Sequence, residues 1–375
     1  MLTWIIVFIV FSLLILVHEA GHLFAAKKAK IRVEVFSLGM GKRLCGIKIG
    51  ETDYRLSIIP FGGFCKMAGE DLQEAVGNED EIGAKPIGYR FWAIASGSIA
   101  NYLFAFILFS IIFMMGAPTL SNVVGEVLKG YPAELAGIEV GDEIYAINGL
   151  KVEYWDDIVS RIKKESAVSE KLDIEIKRSN KDLMLEIVPD ISTVTNIFGQ
   201  TISSPVIGIR PQNKLLNISY NPLYAVYLGG KRLIALTGMT YKGIWLLITG
   251  GIPVKESVSG PIGIAHMIGQ AANLGVVSVL IIMAHISMAL AVFNLLPFPV
   301  LDGGHLVFLL FEKVRGKPIS IKIQETVTNI ALVLLIALVL FISWQDILKF
   351  TPLGKKAGQS FQPKAKNQMT NKNNK

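Results

Sequence analysis

The chain has 375 residues, half of them hydrophobic (51%), and a mean hydropathy of +0.49. That is too apolar for an ordinary soluble enzyme of this length, yet long enough for a membrane core plus one soluble domain. Two cysteines, Cys45 and Cys65, exclude a disulfide framework and a four-cysteine zinc site and read as free thiols. The formal charge of +7 fits basic loops beside anionic lipid. With no recognition motif or basic helix, nucleic acid is not an expected partner.

In chain order, residues 1–116 read as a first membrane half. Residues 1–26 form an apolar segment long enough to cross about 30 Å of hydrocarbon. No basic stretch precedes it and no small-residue cleavage site follows a short apolar core, so it reads as a span and not a signal peptide. Lys27, Lys28, Lys30 and Arg32 follow it, which puts the N-terminus outside and the His18 end near the cytoplasm. Residues 31–71 alternate apolar with polar or small residues and are punctuated by glycines, which predicts short strands and turns held at or in the membrane surface. Residues 72–86 are acidic and predict a flexible loop. A second span follows at 92–115, where Gly97, Ser98 and Ala100 allow close helix packing.

Residues 117–211 have soluble composition and predict one small β-rich domain. Residues 212–350 form a second membrane half. Within it, 221–251 is apolar but interrupted by Lys231, Arg232 and Lys242, which predicts an amphipathic helix lying at the outer interface. Spans are expected at 276–296 and 327–342, joined by a short basic cytoplasmic loop holding Lys313, Arg315, Lys317 and Lys322. The tail, 351–375, is polar, Lys/Asn-rich and read as disordered; its lysines pull against an outside C-terminus. The fold class is therefore a polytopic α-helical membrane protein with about four spans, a membrane-associated β region and an inserted β-rich domain.

The chemistry starts with His18-Glu19-Ala20-Gly21-His22. Histidines four apart share a helix face and can hold zinc, while Glu19 can take a proton from water on that metal. In hydrocarbon, two imidazoles and a carboxylate are costly unless paired or liganded. A metal-free polar cluster is the competing reading. A catalytic zinc needs a third ligand at similar depth. Asp302 is preferred, in Asn294-Leu295-Leu296-Pro297-Phe298-Pro299-Val300-Leu301-Asp302-Gly303-Gly304-His305, where two prolines break the helix and two glycines allow irregular backbone. A helix N-cap is the plainer role for Asp302, and His305 is a rival ligand. Asn294 can hydrogen-bond a substrate backbone or a developing oxyanion, or a neighbouring helix. His266 and His285 read as packing residues.

The intramembrane His-Glu-x-x-His, the distant Asn-x-x-Pro-x-Pro-x-Leu-Asp-Gly-Gly-His and the domain inserted between spans two and three together resemble the site-2 protease family. The likeness is strongest to the bacterial regulators of sigma-E proteolysis, the RseP-type enzymes. That resemblance implies an intramembrane zinc metalloprotease of the bacterial inner membrane, with Zn2+ on His18, His22 and Asp302, Glu19 as base, and Asn294 handling substrate. It implies single-span membrane proteins as substrates, anti-sigma factors and remnant signal peptides among them.

Gly130-Tyr131-Pro132-Ala133-Glu134-Leu135-Ala136-Gly137-Ile138, Val140-Gly141-Asp142-Glu143-Ile144 and Ile147-Asn148-Gly149 resemble a bacterial, permuted PDZ domain. That likeness implies capture of peptide C-termini along an edge near Ile207, Gly208 and Ile209. The basic cluster after the first span and the two spans before the domain put the domain outside and the active site towards the cytoplasm. Many proteobacterial relatives carry two such domains, and this chain has room for one. Gly39-Met40-Gly41 and Pro60-Phe61-Gly62-Gly63-Phe64 resemble the family's membrane-associated β-hairpin, whose edge could align an unwound substrate. A non-catalytic peptide-capturing scaffold and a metal transporter are the competing functions.

Overall fold

In a computed structural model, residues 2–70, 76–196, 199–253 and 258–350 are described. The chain divides into two compact units: Met1–Ser98 with Val254–Asn273 and Phe293–Lys375, and Ile99–Pro253 with Leu274–Val292.

The first unit opens with helix α1 (Leu2–Lys28), whose apolar run ends in Lys27 and Lys28. Two long strands follow, β1 (Val33–Ile49) and β2 (Thr52–Met67), in place of the short strands the sequence suggests. Both strands double back. Val33–Leu38 is flanked by Gly63–Met67 on one side and by Asp53–Leu56 on the other, while Gly46–Ile49 pairs with Thr52–Arg55. Gly39, Gly41 and Gly62 take left-handed φ near +90° at the bends, a region that glycine alone enters freely. They make folds within strands and not hairpin ends; the turn between the strands is at Gly50 and Glu51. Leu44, Ile47, Ile49, Ile58 and Ile59 are exposed on the far half.

The acidic stretch after β2 is better anchored than expected in its described part. Buried Glu81 accepts backbone N–H bonds from Val76 and Gly77 at 3.1 and 2.9 Å and the side-chain amide of Asn78 at 3.2 Å, next to a short 3-10 turn at Ile82–Ala84. Expectations for residues 71–75 lie outside the described residues.

Helix α2 (Ile87–Met115) begins in the first unit and continues into the second. There the β-rich domain is framed by β3 (Ala117–Leu120), β4 (Val124–Val127), a single turn α3 (Pro132–Leu135), β5 (Glu143–Ile147), β6 (Leu150–Lys151), α4 (Trp155–Glu165), β7 (Leu172–Arg178), β8 (Lys181–Ile187), β9 (Asp190–Thr195), β10 (Thr201–Val206), β11 (Ile209–Pro211) and β12 (Leu215–Ile218). A four-stranded antiparallel sheet in the order β6-β5-β7-β8 packs its alternating isoleucines, Ile144, Ile147, Ile174 and Ile176, into one core with Ile158 of α4. β12 pairs with β3, so the domain closes at Ile218, past the expected boundary at 211. Asn148 and Gly149 take positive φ at the β5–β6 turn, as the Asn-Gly pair predicts.

Helix α5 (Pro222–Ile248) was expected to lie flat at an interface. Instead it runs antiparallel to α2 within the second unit: Tyr220 N–H bonds Phe113 O, Gly229 abuts Ser110, and Tyr102 hydrogen-bonds Thr237. The buried stripe Ala225, Gly229, Leu233 at four-residue spacing explains the packing. Helix α7 (Val276–Asn294) follows α6 (Pro261–Leu274). His285 donates to Ile281 O at 2.7 Å and packs edge-on against Phe109, a satisfied packing role.

The basic segment after α7 is a helix and not a loop: α8 (Asp302–Arg315), followed by the last span α9 (Ile321–Phe350). Helices α1, α2, α7 and α9 are long and apolar enough to cross a membrane. In the first unit, α6 contacts both α1 and α9. Gly269 lies against Thr3, and the buried Asp346 accepts the Gly263 N–H at 2.7 Å, so the C-terminal end of α9 and the N-terminal end of α1 share one end of the bundle.

Candidate metalloprotease active site

The site is built in the first unit from α1, α2, the end of α7 and the start of α8. His18 and His22, one helical turn apart, bring their Nε2 atoms to 3.3 Å. Asp302 Oδ2 lies 3.5 Å from His18 Nε2 and 3.7 Å from His22 Nε2. Asp302 is the first residue of α8, with Leu301 at the N-cap position. Gly303 and Gly304 are thus helical, contrary to the irregular backbone expected. Their missing Cβ atoms let this turn close on the proline loop, since added Cβ atoms would fall 2.2 Å from Leu296 O and 2.3 Å from Phe298 O. An ion pair between Arg90 and Glu312 at 2.7 Å ties α8 to α2.

These three side chains fit a zinc ion. Ligands about 2.0–2.1 Å from zinc at tetrahedral angles stand about 3.4 Å apart, close to all three separations. The tautomer also fits. His22 Nδ1–H donates to Ala93 O at 2.9 Å, which leaves the Nε2 lone pair pointing at the other two ligand atoms. Two acceptor nitrogens and a carboxylate oxygen crowded together ask for a cation. Among the described residues, His18, His22 and Asp302 are the group with metal-ligand spacing.

Helix α2 supplies an outer layer that sequence reasoning missed, having read Gly97 and Ser98 only as helix-packing residues. Ser98 Oγ donates to Asp302 Oδ2 at 3.0 Å, His18 hydrogen-bonds the backbone of Gly97, and Ala93 holds His22. Gly97 is where α2 passes closest: a Cβ there would sit 2.3 Å from His22 Nε2. The available signal was a small-polar run inside an apolar span.

Glu19 projects into the same cavity, about 530 Å³, which Cys65 of β2 also lines. Cys65 is buried beside the Glu19 and Glu70 carboxylates; that burial, and then the two carboxylates, push its thiol upward. Cys45 is exposed and also free. Asn294, the last residue of α7, places its amide nitrogen 3.4 Å from His18 Nε2. His305 lines the cavity but is outside the three-ligand group, and His266 pairs with Gln270 on α6.

The peptide-edge residues belong to the second unit. Ile207 is buried in the β-domain core and its carbonyl accepts from Ala133 N–H. Gly208, at φ +84°, accepts from Leu128 N–H, and Ile209 pairs with Val127.

Apolar spans around a two-histidine, one-carboxylate site define a membrane metallopeptidase. Residues 6–338 match peptidase family M50, and the chain belongs to that family. A Clostridium perfringens protein whose name describes a zinc metalloprotease is 36% identical over 90% of this chain and 96% of its own. Zinc metalloprotease RasP of Geobacillus kaustophilus is 31% identical, covering 91% and 97%. Regulator of sigma-W protease RasP of Bacillus subtilis is 28% identical, covering 90% and 96%. The β-rich domain is similar to the PDZ domain of the SdrC-like protein from Listeria innocua at 23% identity, covering 25% of this chain and 96% of that one with a TM-score of 0.19. The protein is a bacterial membrane zinc metalloendopeptidase with Zn2+ as its cofactor, which sets aside the scaffold and transporter readings.

Proposed function

We propose that this protein cleaves single-span membrane proteins inside the bilayer, with His18, His22 and Asp302 holding zinc. The observation that carries the reading is the convergence of three ligand atoms from two helices at 3.3–3.7 Å. A zinc ion held by these three residues would lower the pKa of a bound water towards 7 and would polarise the scissile carbonyl. Glu19 takes the proton of the attacking water and returns it to the departing nitrogen as the C–N bond breaks. Asn294 hydrogen-bonds the carbonyl oxygen as charge develops on it.

A substrate helix has its peptide groups bonded internally and must unwind before attack. The outer segment Gly63–Met67 of β2 supports alignment by strand addition, since Phe64, Cys65 and Met67 line the cavity that Glu19 enters. The charge pattern at Lys27, Lys28, Lys30 and Arg32 supports a cytoplasmic position for this end of the site. On that reading the β-rich domain lies outside, where as a PDZ domain it screens peptide C-termini of already shortened substrates at the Ile207–Ile209 edge. The shared end of α1 and α9 supports an outside C-terminal end for α9. Anti-sigma factors and remnant signal peptides are the expected substrate classes.

A Glu19→Gln protein should keep zinc and lose cleavage of a labelled single-span substrate. Cleavage at the parental rate would sink this mechanism.

A further inference from the structure

The mechanism above leaves one polar face of α9 unused. Gln324, Glu325, Thr328 and Asn329 share a helix face by their spacing, and all four line the cavity that holds His18, Glu19, His22 and Asp302. The surrounding helix is hydrocarbon-like, long and apolar enough to cross a membrane, with exposed Val327, Ile330, Leu332 and Val333. Gln324 is occupied, its amide donating to Ile319 O at 2.8 Å. Thr328 and Asn329 lie deeper. Asn329 stands about 12 Å along the helix from Ile321, while His22 stands about 9 Å from Lys28 at the basic end of α1. The hydroxyl and amide line the same cavity as His18, His22 and Asp302. At such depth polar groups are found where they face a cavity or a partner.

An extended peptide presents backbone N–H and C=O groups along two edges. Pairing with β2 satisfies one edge. The other keeps unpaired polar groups in a medium without water to receive them. We propose that Thr328 and Asn329 bind this second edge, so that the unwound substrate lies with β2 on one side and α9 on the other. An amide offers both a donor and an acceptor and a hydroxyl offers either, so the ligand is peptide backbone of any sequence. This inference rests on the proteolytic reading above.

The test uses the full-length protein with bound zinc and a labelled single-span substrate. The Thr328→Val/Asn329→Leu variant should raise KM about tenfold with kcat within twofold of the parent, and with zinc content and melting temperature unchanged. Thr328→Ser should behave as the parent. The near-isosteric single variant Thr328→Val carries the test if the double variant does not accumulate, with a smaller rise in KM. Parental kcat/KM, a fall in kcat at constant KM, or loss of zinc would each overturn the inference. A parent that does not cut, or a Glu19→Gln protein that does, defeats the proteolytic reading instead; a parent that cuts beside an equally active double variant defeats this inference alone.

Discussion

The β-rich domain and the membrane unit that carries the His18, His22 and Asp302 cluster invert one another. In the domain the apolar side chains are inside: Ile144, Ile147, Ile174 and Ile176 have no exposed surface, and charge stays at the rim except for Asp142. In the membrane unit the large apolar groups Trp4, Ile9 and Phe24 face outward, while His22, Ser98 and the small Ala93 are buried. Lipid tails are as apolar as leucine, so burial of leucine drives nothing there; small residues and polar pairs hold the helices. Substitutions should therefore fail differently in the two places, by function in one and by melting in the other.

The largest expected effect is Gly97→Ala. Its Cβ would lie 2.3 Å from His22 Nε2 and 2.8 Å from His18 Cε1. Zinc should fall to background and cleavage below detection, while the spans stay inserted. Metal analysis beside a protease-accessibility map checks this; full zinc in the variant would break the contrast. Ser98→Ala removes the hydroxyl that holds Asp302 Oδ2. Loss of such an outer partner costs about 10–100-fold in metal affinity or activity. A zinc titration should show the shift, and Ser98→Thr should recover part of it.

Asp142→Ala tests the other side. Its buried carboxylate takes two 2.7 Å bonds from Arg178 and one from Glu139 N–H. Removing one partner of a buried pair should destabilise the domain by about 3 kcal/mol. Limited proteolysis should open residues 117–218 first, with zinc content unchanged. If zinc falls as readily as in Gly97→Ala, the two regions do not fail independently.

The same inversion explains what was legible in the sequence. His18, Glu19 and His22 stood out because charge inside a span is expensive, and Asp302 stood out because a break in a span exposes its neighbours. Alternation of isoleucine with polar residues announced the β-rich domain. Gly97 and Ser98 did not stand out, because close helix packing already accounts for small residues in a span. The placement of α5 was misread since its lysines and glycines suit an interface, and only the stripe Ala225, Gly229, Leu233 reveals a helix partner. Helix α8 was hidden by Gly303 and Gly304, whose usual meaning is loop. The doubling back of β1 and β2 depends on non-local pairing, which periodicity does not carry.

The smallest expected effect lies at the rim of the cavity, where loop and membrane unit meet. Glu81 has its carboxyl held below the ordinary value of 4.5, chiefly by the Gly77 N–H and then by those of Val76 and Asn78. A depressed folded value means that the stabilisation is complete above the ordinary value and is lost as pH falls below it through the folded value. Protection of the amides at 76–84 against hydrogen exchange, corrected for intrinsic rates, should therefore be flat from neutral pH down to about 5 and weaken in stronger acid. Glu81→Gln should show faster exchange in that segment already at neutral pH, with little change elsewhere. Ile82 and Gly83 line the cavity, so a modest loss of cleavage should accompany the loosening. Equal exchange in parent and variant would show that the loop is held by packing, as the β-rich domain is, and not by charge.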